Sequence, residues 1–164
     1  MTPLHIRKAV KSDGSFIRDM FYEAIFVPEG KKKPDFSIIF DPKLRKYSEG
    51  WMQPKDLGFI AVLENEPAGA AWIRLFPPED PGYGYVDQHT PELTIAVKEG
   101  FKGQGIGKSL LTRLLQEAAK AGWKKVSLSV TKENTPAVSL YRQAGFVTVS
   151  ENEEDLVMVY HLAD

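Results

Sequence analysis

Apolar and polar residues alternate through "LHIRKAV" (residues 4–10), the period of a half-buried strand. The period then changes: Phe16, Ile17, Met20, Phe21 and Ala24 recur at helical spacing behind a Ser12 or Asp13 cap. Pro28, Gly30, Pro34 and Pro42 break up residues 27–51, leaving room for one short helix around residues 43–50. So long an excursion in a small chain points to a lid or a binding loop. "GFIAVLENEPAGAAWIRLF" predicts two strands about a turn at residues 64–66, and "PPEDPGYGYVDQH" predicts a loop. "ELTIAV" is a strand that runs through "KEGFKGQG" into a helix whose apolar face is Ile106, Leu110, Leu111, Leu114, Leu115, Ala118 and Ala119, with Gly122 at its stop. "KKVSLSV" is a strand with unequal faces, Val126, Leu128 and Val130 on one side and Ser127 and Ser129 on the other. "ENTPAVSLYRQAG" predicts a helix with Asn134 or Thr135 as cap, Pro136 early and Gly145 at the stop; "FVTV" and "DLVMVYHL" close the chain as an antiparallel pair.

The predicted order is β, α, a loop with a short helix, β, β, β, α, β, α, β, β, which is an α/β chain with a mixed sheet flanked by helices. No internal repeat is present. At 164 residues, 43% hydrophobic and 26% charged, the chain is long enough for one compact core, so residues 1–164 are read as a single domain. With 21 basic and 22 acidic residues the net charge is -1, which supplies no global attraction to nucleic acid or anionic lipid, and any anion site must be local. There is no cysteine, which removes disulfides, thiolate metal sites and a covalent acyl-cysteine intermediate. His5, His89 and His161 lack acidic or histidine partners at helical ligand spacing, so no metal is expected. No apolar run approaches the ~20 residues of a membrane span, and a cytoplasmic location is expected.

The chemistry concentrates in "FKGQGIGKSLL", where Gly103, Gly105 and Gly107 stand on alternate positions between a strand and a helix. That junction offers an anion unpaired backbone N–H groups and the positive end of the helix dipole. The P-loop pattern finds Gly107, Lys108 and Ser109 but needs glycine where Lys102 stands, so a phosphotransferase reading is disfavoured. The dinucleotide pattern G-x-G-x-x-G needs glycine at Lys108 or Leu110 and also fails. A ligand-free tight turn would be an alternative, but three glycines cost more backbone entropy than a turn requires.

"ELTIAVKEGFKGQGIGKSLL" followed by "ENTPAVSLYRQAGF" resembles the GNAT superfamily of acetyl-CoA-dependent N-acetyltransferases, and the element order is similar over almost the whole chain. The resemblance implies a mostly antiparallel sheet with a splayed parallel pair, residues 93–97 and 125–130. It also implies a pyrophosphate loop [RQ]-x-x-G-x-[GA] at residues 102–107, in which Lys102 departs from the pattern and Gly105 and Gly107 fit it. By this resemblance the cofactor-binding residues are Ile95, Ala96 and Val97 through main-chain groups, then Lys102, Gly103, Gln104, Gly105, Ile106, Gly107, Lys108 and Ser109, together with Asn134 and Tyr141. Asn134, Ala137, Leu140, Tyr141, Gly145 and Phe146 match a second motif similar to N-x-x-A-x-x-L-Y-x-x-x-G-F, whose Tyr sits near the thioester sulfur.

Amine attack on a thioester needs a neutral amine, a stabilised oxyanion and a proton for the departing thiolate. An alkylamine of pKa ~10.4 is mostly protonated at neutral pH, so a base is required. Glu92, opening the cofactor strand, is the candidate base, and the resemblance implies that a carboxylate there acts through water; the alternative is a solvated strand end. His89 ranks below it. Tyr141 is the candidate proton donor to sulfur, and a main-chain N–H near Val97 the oxyanion donor. Arg74 could bind a substrate carboxylate, but reads rather as an ion-pair partner of a nearby acid. Trp51, Trp72, Tyr83 and Tyr85 could wall an acceptor pocket or simply pack, Asp80 and Asp87 could attract a cationic amine, and "KKKP" (residues 31–34) reads as a solvated loop. The expected activity is acetyl transfer from acetyl-CoA to a primary amine by direct attack. The competing reading is a non-catalytic acyl-CoA-binding or regulatory module. The expected partner is a small-molecule or peptide amine acceptor, with no nucleic acid, membrane or metal involved and with room for a homodimer.

Overall fold

The computed structural model describes residues 4–162. Its elements are β1 (His5–Lys8), α1 (Gly14–Ala24), β2 (Leu57–Leu63), β3 (Glu66–Arg74), β4 (Glu92–Val97), α2 (Ile106–Lys120), β5 (Lys125–Thr131), α3 (Thr135–Ala144), β6 (Val147–Glu151) and β7 (Asp155–His161). Residues 25–56 contain two short 3-10 helices, Phe36–Phe40 and Arg45–Tyr47, in place of the one predicted. The seven strands form one sheet in the order β1-β2-β3-β4-β5-β7-β6, antiparallel throughout except for β4 and β5.

The expected hairpin turns at Glu64 and Asn65, both in left-handed backbone (φ 55 and 64), the conformation a two-residue turn needs to match the twist of its strands. Capping differs from expectation. Asp13 stands at the N-cap of α1 without a side-chain capping bond, because its carboxylate takes Arg7 at 2.8 and 2.9 Å and the Val10 N–H. Asn134 precedes α3 likewise without capping it.

Side chains alternate along each strand, so the sheet has two apolar faces. Leu93, Val126, Leu128 and Val130 turn toward α2 and α3 and join Leu110, Leu111, Leu114 and Tyr141. Ile60, Ala70, Trp72 and Ala96 turn the other way, toward Ile17 and Phe21 of α1 and toward Tyr47. On the serine side of β5, Ser127 is fully buried and Ser129 half-buried.

The parallel pair is the fold's irregularity. β4 and β5 pair only at Glu92 with Ser127, plus one bond from Ser127 N–H to Pro91 C=O, and then diverge. The divergence opens a slot through the sheet between its two faces.

Candidate active site

The backbone of β4 is committed on one side to β3. Lys98 N–H bonds Ala68 C=O, and because backbone groups alternate sides along a strand, those of Ile95 and Val97 face the slot. Ala96, expected to offer main-chain groups there, instead turns them toward Ala70 of β3, although it is among the residues that line the cavity.

At the end of the slot the chain reaches the glycine run. Gly103 and Gly105 have φ of +80 and +78, left-handed backbone that a residue with a Cβ rarely adopts. Gly105 is the N-cap of α2, and the first intrahelical bond runs from Ser109 N–H to Gly105 C=O. The N–H groups of Ile106, Gly107 and Lys108 therefore have no carbonyl upstream to receive them. Gly107 is informative in a different way. Its backbone is ordinary, and an added Cβ would sit 3.7 Å from Leu140 and from Val97, normal contact distances. Nothing in the protein forbids a side chain there; glycine keeps open the space that such a side chain would fill. That space is a cavity of about 400 Å³ bounded by Ile95, Val97, Gly105, Gly107, Asn134 and Tyr141. Lys102 is exposed and pairs with Glu99, Lys108 is exposed, and Gln104 reaches only the Phe101 carbonyl, so the loop's charge contribution is solvated.

A second cavity, about 310 Å³, opens on the α1 side of the slot and is lined by Phe21, Tyr47, Tyr83, Glu92, Ser129 and Asp155 among others. The two cavities share Ala24, Ile95, Asn134, Ala137 and Tyr141. Tyr141 stands at this junction, packed on Phe146 with ring centroids 5.6 Å apart, and its hydroxyl has no hydrogen-bond partner among the described residues. Burial raises its phenol pKa, so it carries its proton at any physiological pH.

Glu92 is 3% exposed, which removes the solvated-end alternative. Its Oε2 accepts a 2.5 Å hydrogen bond from the Tyr47 hydroxyl, and its Oε1 has no partner among the described residues. Burial pushes the carboxyl up to about 7, opposed by the Tyr47 hydroxyl, the nearby Gly84 amide and the Lys46 ammonium, which favour the charged form. The loop "DPGYGY" closes over this carboxyl so tightly that a Cβ at Gly82 would lie 2.2 Å from Oε1 and one at Gly84 3.0 Å from Cδ. Only glycine fits at either place.

Tyr47, which carried no sequence signal, organises the site. Its hydroxyl donates to Glu92 and accepts from Tyr83 N–H at 2.7 Å, joining the carboxylate to the covering loop. Burial and the Glu92 carboxylate raise its pKa, so it is a donor throughout. Its ring stacks on Phe21 at 5.2 Å, and its carbonyl accepts from Trp72 Nε1 at 2.9 Å. Arg74 pins the same segment: Nη1 donates to the carbonyls of Lys46 and Glu49, while Nε and Nη2 grip Asp56 at 3.0 and 2.7 Å. The ion-pair reading of Arg74 holds, with Asp56 as partner. Trp51 and Trp72 are core residues, Tyr83 lines the second cavity, and Tyr85 packs beside the core. Asp80 and Asp87 pair with Lys46 and Lys125, and His89 is exposed and outside both cavities.

One buried carboxylate with a pKa near neutrality and one protonated phenol thus approach a through-sheet slot from opposite faces, beside a helix N-terminus suited to pyrophosphate. The model of the acetyltransferase (GNAT) family matches residues 20–146. The chain belongs to the GNAT acetyltransferase family. Among curated relatives of this GNAT protein, the mycothiol acetyltransferase of Corynebacterium aurimucosum is 31% identical over 108 residues, 62% of this chain and 34% of that protein. The uncharacterized N-acetyltransferase YobR of Bacillus subtilis is 28% identical over 108 residues, 63% of this chain and 44% of that one. The chain thus spans about a third to less than half of the length of these relatives. In fold it is similar to yncA of Salmonella typhimurium, solved with its cofactor acetyl-CoA, at TM-score 0.71 and 18% identity, covering 99% of this chain and 96% of that one. It is similar as well to the ribosomal-protein-S18-alanine N-acetyltransferase of Escherichia coli, at TM-score 0.68 and 20% identity, covering 99% and 96%. No helix among the described residues is long and apolar enough to cross a membrane, and no group of three or more metal-ligating side chains occurs among them.

Proposed function

We propose that this GNAT protein transfers acetyl from acetyl-CoA to a primary amine by direct attack, residues 1–164 acting as one catalytic domain. The observation that carries the reading is the meeting of two cavities at Tyr141, one running along the glycine loop and the other holding the buried Glu92 carboxyl. A non-catalytic binding module would need the first and has no use for a desolvated carboxylate in the lining of the second.

The residues present fit acetyl-CoA. The free N–H groups at the start of α2 suit a pyrophosphate, the open space beside Gly107 suits its approach, and the outward backbone groups of Ile95 and Val97 suit an amide-bearing arm lying in the slot. Asn134 and Tyr141 border the same cavity. When bound, the thioester supplies the activated acetyl group. Glu92 takes the amine's proton, directly or through one water, at a pKa of about 7 that leaves it half ionised at neutral pH. Tyr47 holds that carboxylate in place and favours its charged form. A slot-facing N–H of β4, near Val97, is placed to meet negative charge developing on the thioester oxygen. Tyr141 donates a hydrogen bond to the departing sulfur; with its own pKa raised by burial, full proton transfer is favourable only if the same dry surroundings raise the thiol as well.

The acceptor is an amine of a small molecule or a peptide. The curated relatives named mycothiol acetyltransferase and the alanine N-acetyltransferase of similar fold are consistent with that range. The test is an amine panel assayed with acetyl-CoA by release of free thiol, beside a thermal-shift titration. A rise in Tm with acetyl-CoA and turnover on at least one amine are expected. Tight binding with no turnover on any amine would leave the binding-module reading standing instead.

A further inference from the structure

The lining of the second cavity is chemically one-sided. Its only charged residues are Glu92 and Asp155, and every other lining residue is apolar, aromatic or neutral polar. The two acids sit at opposite ends. Glu92 pairs with Ser127 and Asp155 with Thr131, four residues further along β5, roughly 13 Å at ~3.3 Å per residue. Asp155 is half-buried, and no cation pairs with its carboxylate among the described residues. The nearby cations are occupied elsewhere: Lys132 with Glu151, Lys125 with Asp87, and Lys46 with Asp80 and the Pro81 carbonyl. At the other end Oε1 of Glu92, 3% exposed, is also without a partner. Between them Phe21, Phe26, Tyr47 and Tyr83 present aromatic surface.

An amine arrives as a cation and is drawn to both ends and to the ring faces. Among the lining residues a carboxylate on the same molecule meets only negative charge, with no arginine or lysine there to receive it; Lys46, whose ammonium acts on Glu92, lies outside the lining and is held by Asp80 and the Pro81 carbonyl. Charge complementarity of this kind acts mostly as discrimination, through the repulsion it imposes on the wrong ligand. We propose that the acceptor site selects primary amines that bear no free carboxylate beside the reacting nitrogen: amino-acid amides, peptide N-termini and aminated sugars, and not free amino acids, with Asp155 as a specificity-determining residue. The inference rests on the acetyl-transfer reading and narrows its acceptor class.

The test compares alaninamide with alanine as acceptors, by kcat/KM in the thiol-release assay, and by weak-affinity titration of each into the protein saturated with CoA. The wild-type protein is expected to favour the amide by more than tenfold in both measurements. Part of any kinetic preference comes from the lower basicity of the amide's amine, a property of the probes common to every enzyme variant. Asp155→Asn, nearly isosteric, should therefore narrow the amide-to-acid ratio at least fivefold, and Asp155→Lys should narrow it further by offering the carboxylate a partner. Equal handling of the two probes, or a ratio that neither substitution moves, overturns the proposal while leaving acetyl transfer intact. Turnover of no amine at all overturns acetyl transfer, and the titration into the CoA complex then still decides whether the lining rejects carboxylates.

Discussion

Replacing Tyr47 by Phe tests the central hydrogen bond of the site. The substitution keeps the ring on Phe21 and removes the 2.5 Å bond to Glu92 Oε2. A hydrogen bond to a charged group is worth ~1.5–3 kcal/mol, and one pKa unit is ~1.4 kcal/mol, so losing a donor to the carboxylate raises its pKa by roughly 1–2 units. From about 7 in the wild type, the Glu92 carboxyl moves to about 8–9. A base works in its charged form, so the sign is fixed: activity rises as pH rises through this pKa, and the variant needs a higher pH to reach it. At pH 7 the ionised fraction falls from about half to roughly 1–10%, which is a ~5–50-fold loss in kcat/KM that disappears toward pH 10. The assay is kcat/KM for one amine at saturating acetyl-CoA from pH 6 to 10, expressed as the ratio of variant to wild type so that the amine's own titration cancels. A ratio that climbs with pH supports the argument. A ratio that is low and constant makes Tyr47 a packing residue only, and a ratio of one throughout removes Glu92 as the base. The Tyr83 N–H also loses its acceptor, so Tm should fall modestly without changing the shape of the profile.

Tyr141→Phe keeps the contact with Phe146 and should leave Tm and acetyl-CoA affinity nearly unchanged while lowering kcat by ~10²–10³; full kcat with chemistry rate-limiting would show that the sulfur takes its proton from water. Gly107→Ala should separate fold from site. The Cβ meets only ordinary 3.7 Å contacts and alanine favours the helix by up to ~1 kcal/mol, so Tm of the unliganded protein should rise; intrusion into the cavity at a cost of ~1–3 kcal/mol should weaken acetyl-CoA roughly 5–150-fold by calorimetry. Undiminished affinity would move the cofactor elsewhere. Asp56→Ala leaves the buried Arg74 guanidinium without its carboxylate and should destabilise the fold by ~3–5 kcal/mol in denaturant unfolding; a loss below ~1 kcal/mol would mean that the carbonyls of Lys46 and Glu49 suffice.

Sequence alone determined the element order, because each segment carries its own period. The apolar stripe of α2, the alternation in β5 and the glycine stops are local properties, and local properties are what spacing encodes. The glycine loop was equally legible, since left-handed backbone at Gly103 and Gly105 leaves a chemical trace in the residue type itself. Glu92 and Tyr141 were named from motif position, but nothing in the sequence shows that they face one slot from opposite sides of the sheet. That depends on β4 and β5, about 30 residues apart in the chain, pairing at one residue and then parting. Tyr47 was invisible for the same reason. It lies in an irregular segment with no period, and its hydroxyl acquires meaning only when Arg74, Trp72 and Asp56 fold that segment against β3 and β4. Ser127 is fully buried, which the unequal faces of β5 did not disclose, because alternation reports which side of a strand a residue takes and is silent on what covers that side. The pKa of Glu92 is the clearest case: a carboxyl is an ordinary acid in any sequence, and the closure of Gly82 and Gly84 over it, a contact between separate parts of the chain, removes the water that would have kept it so.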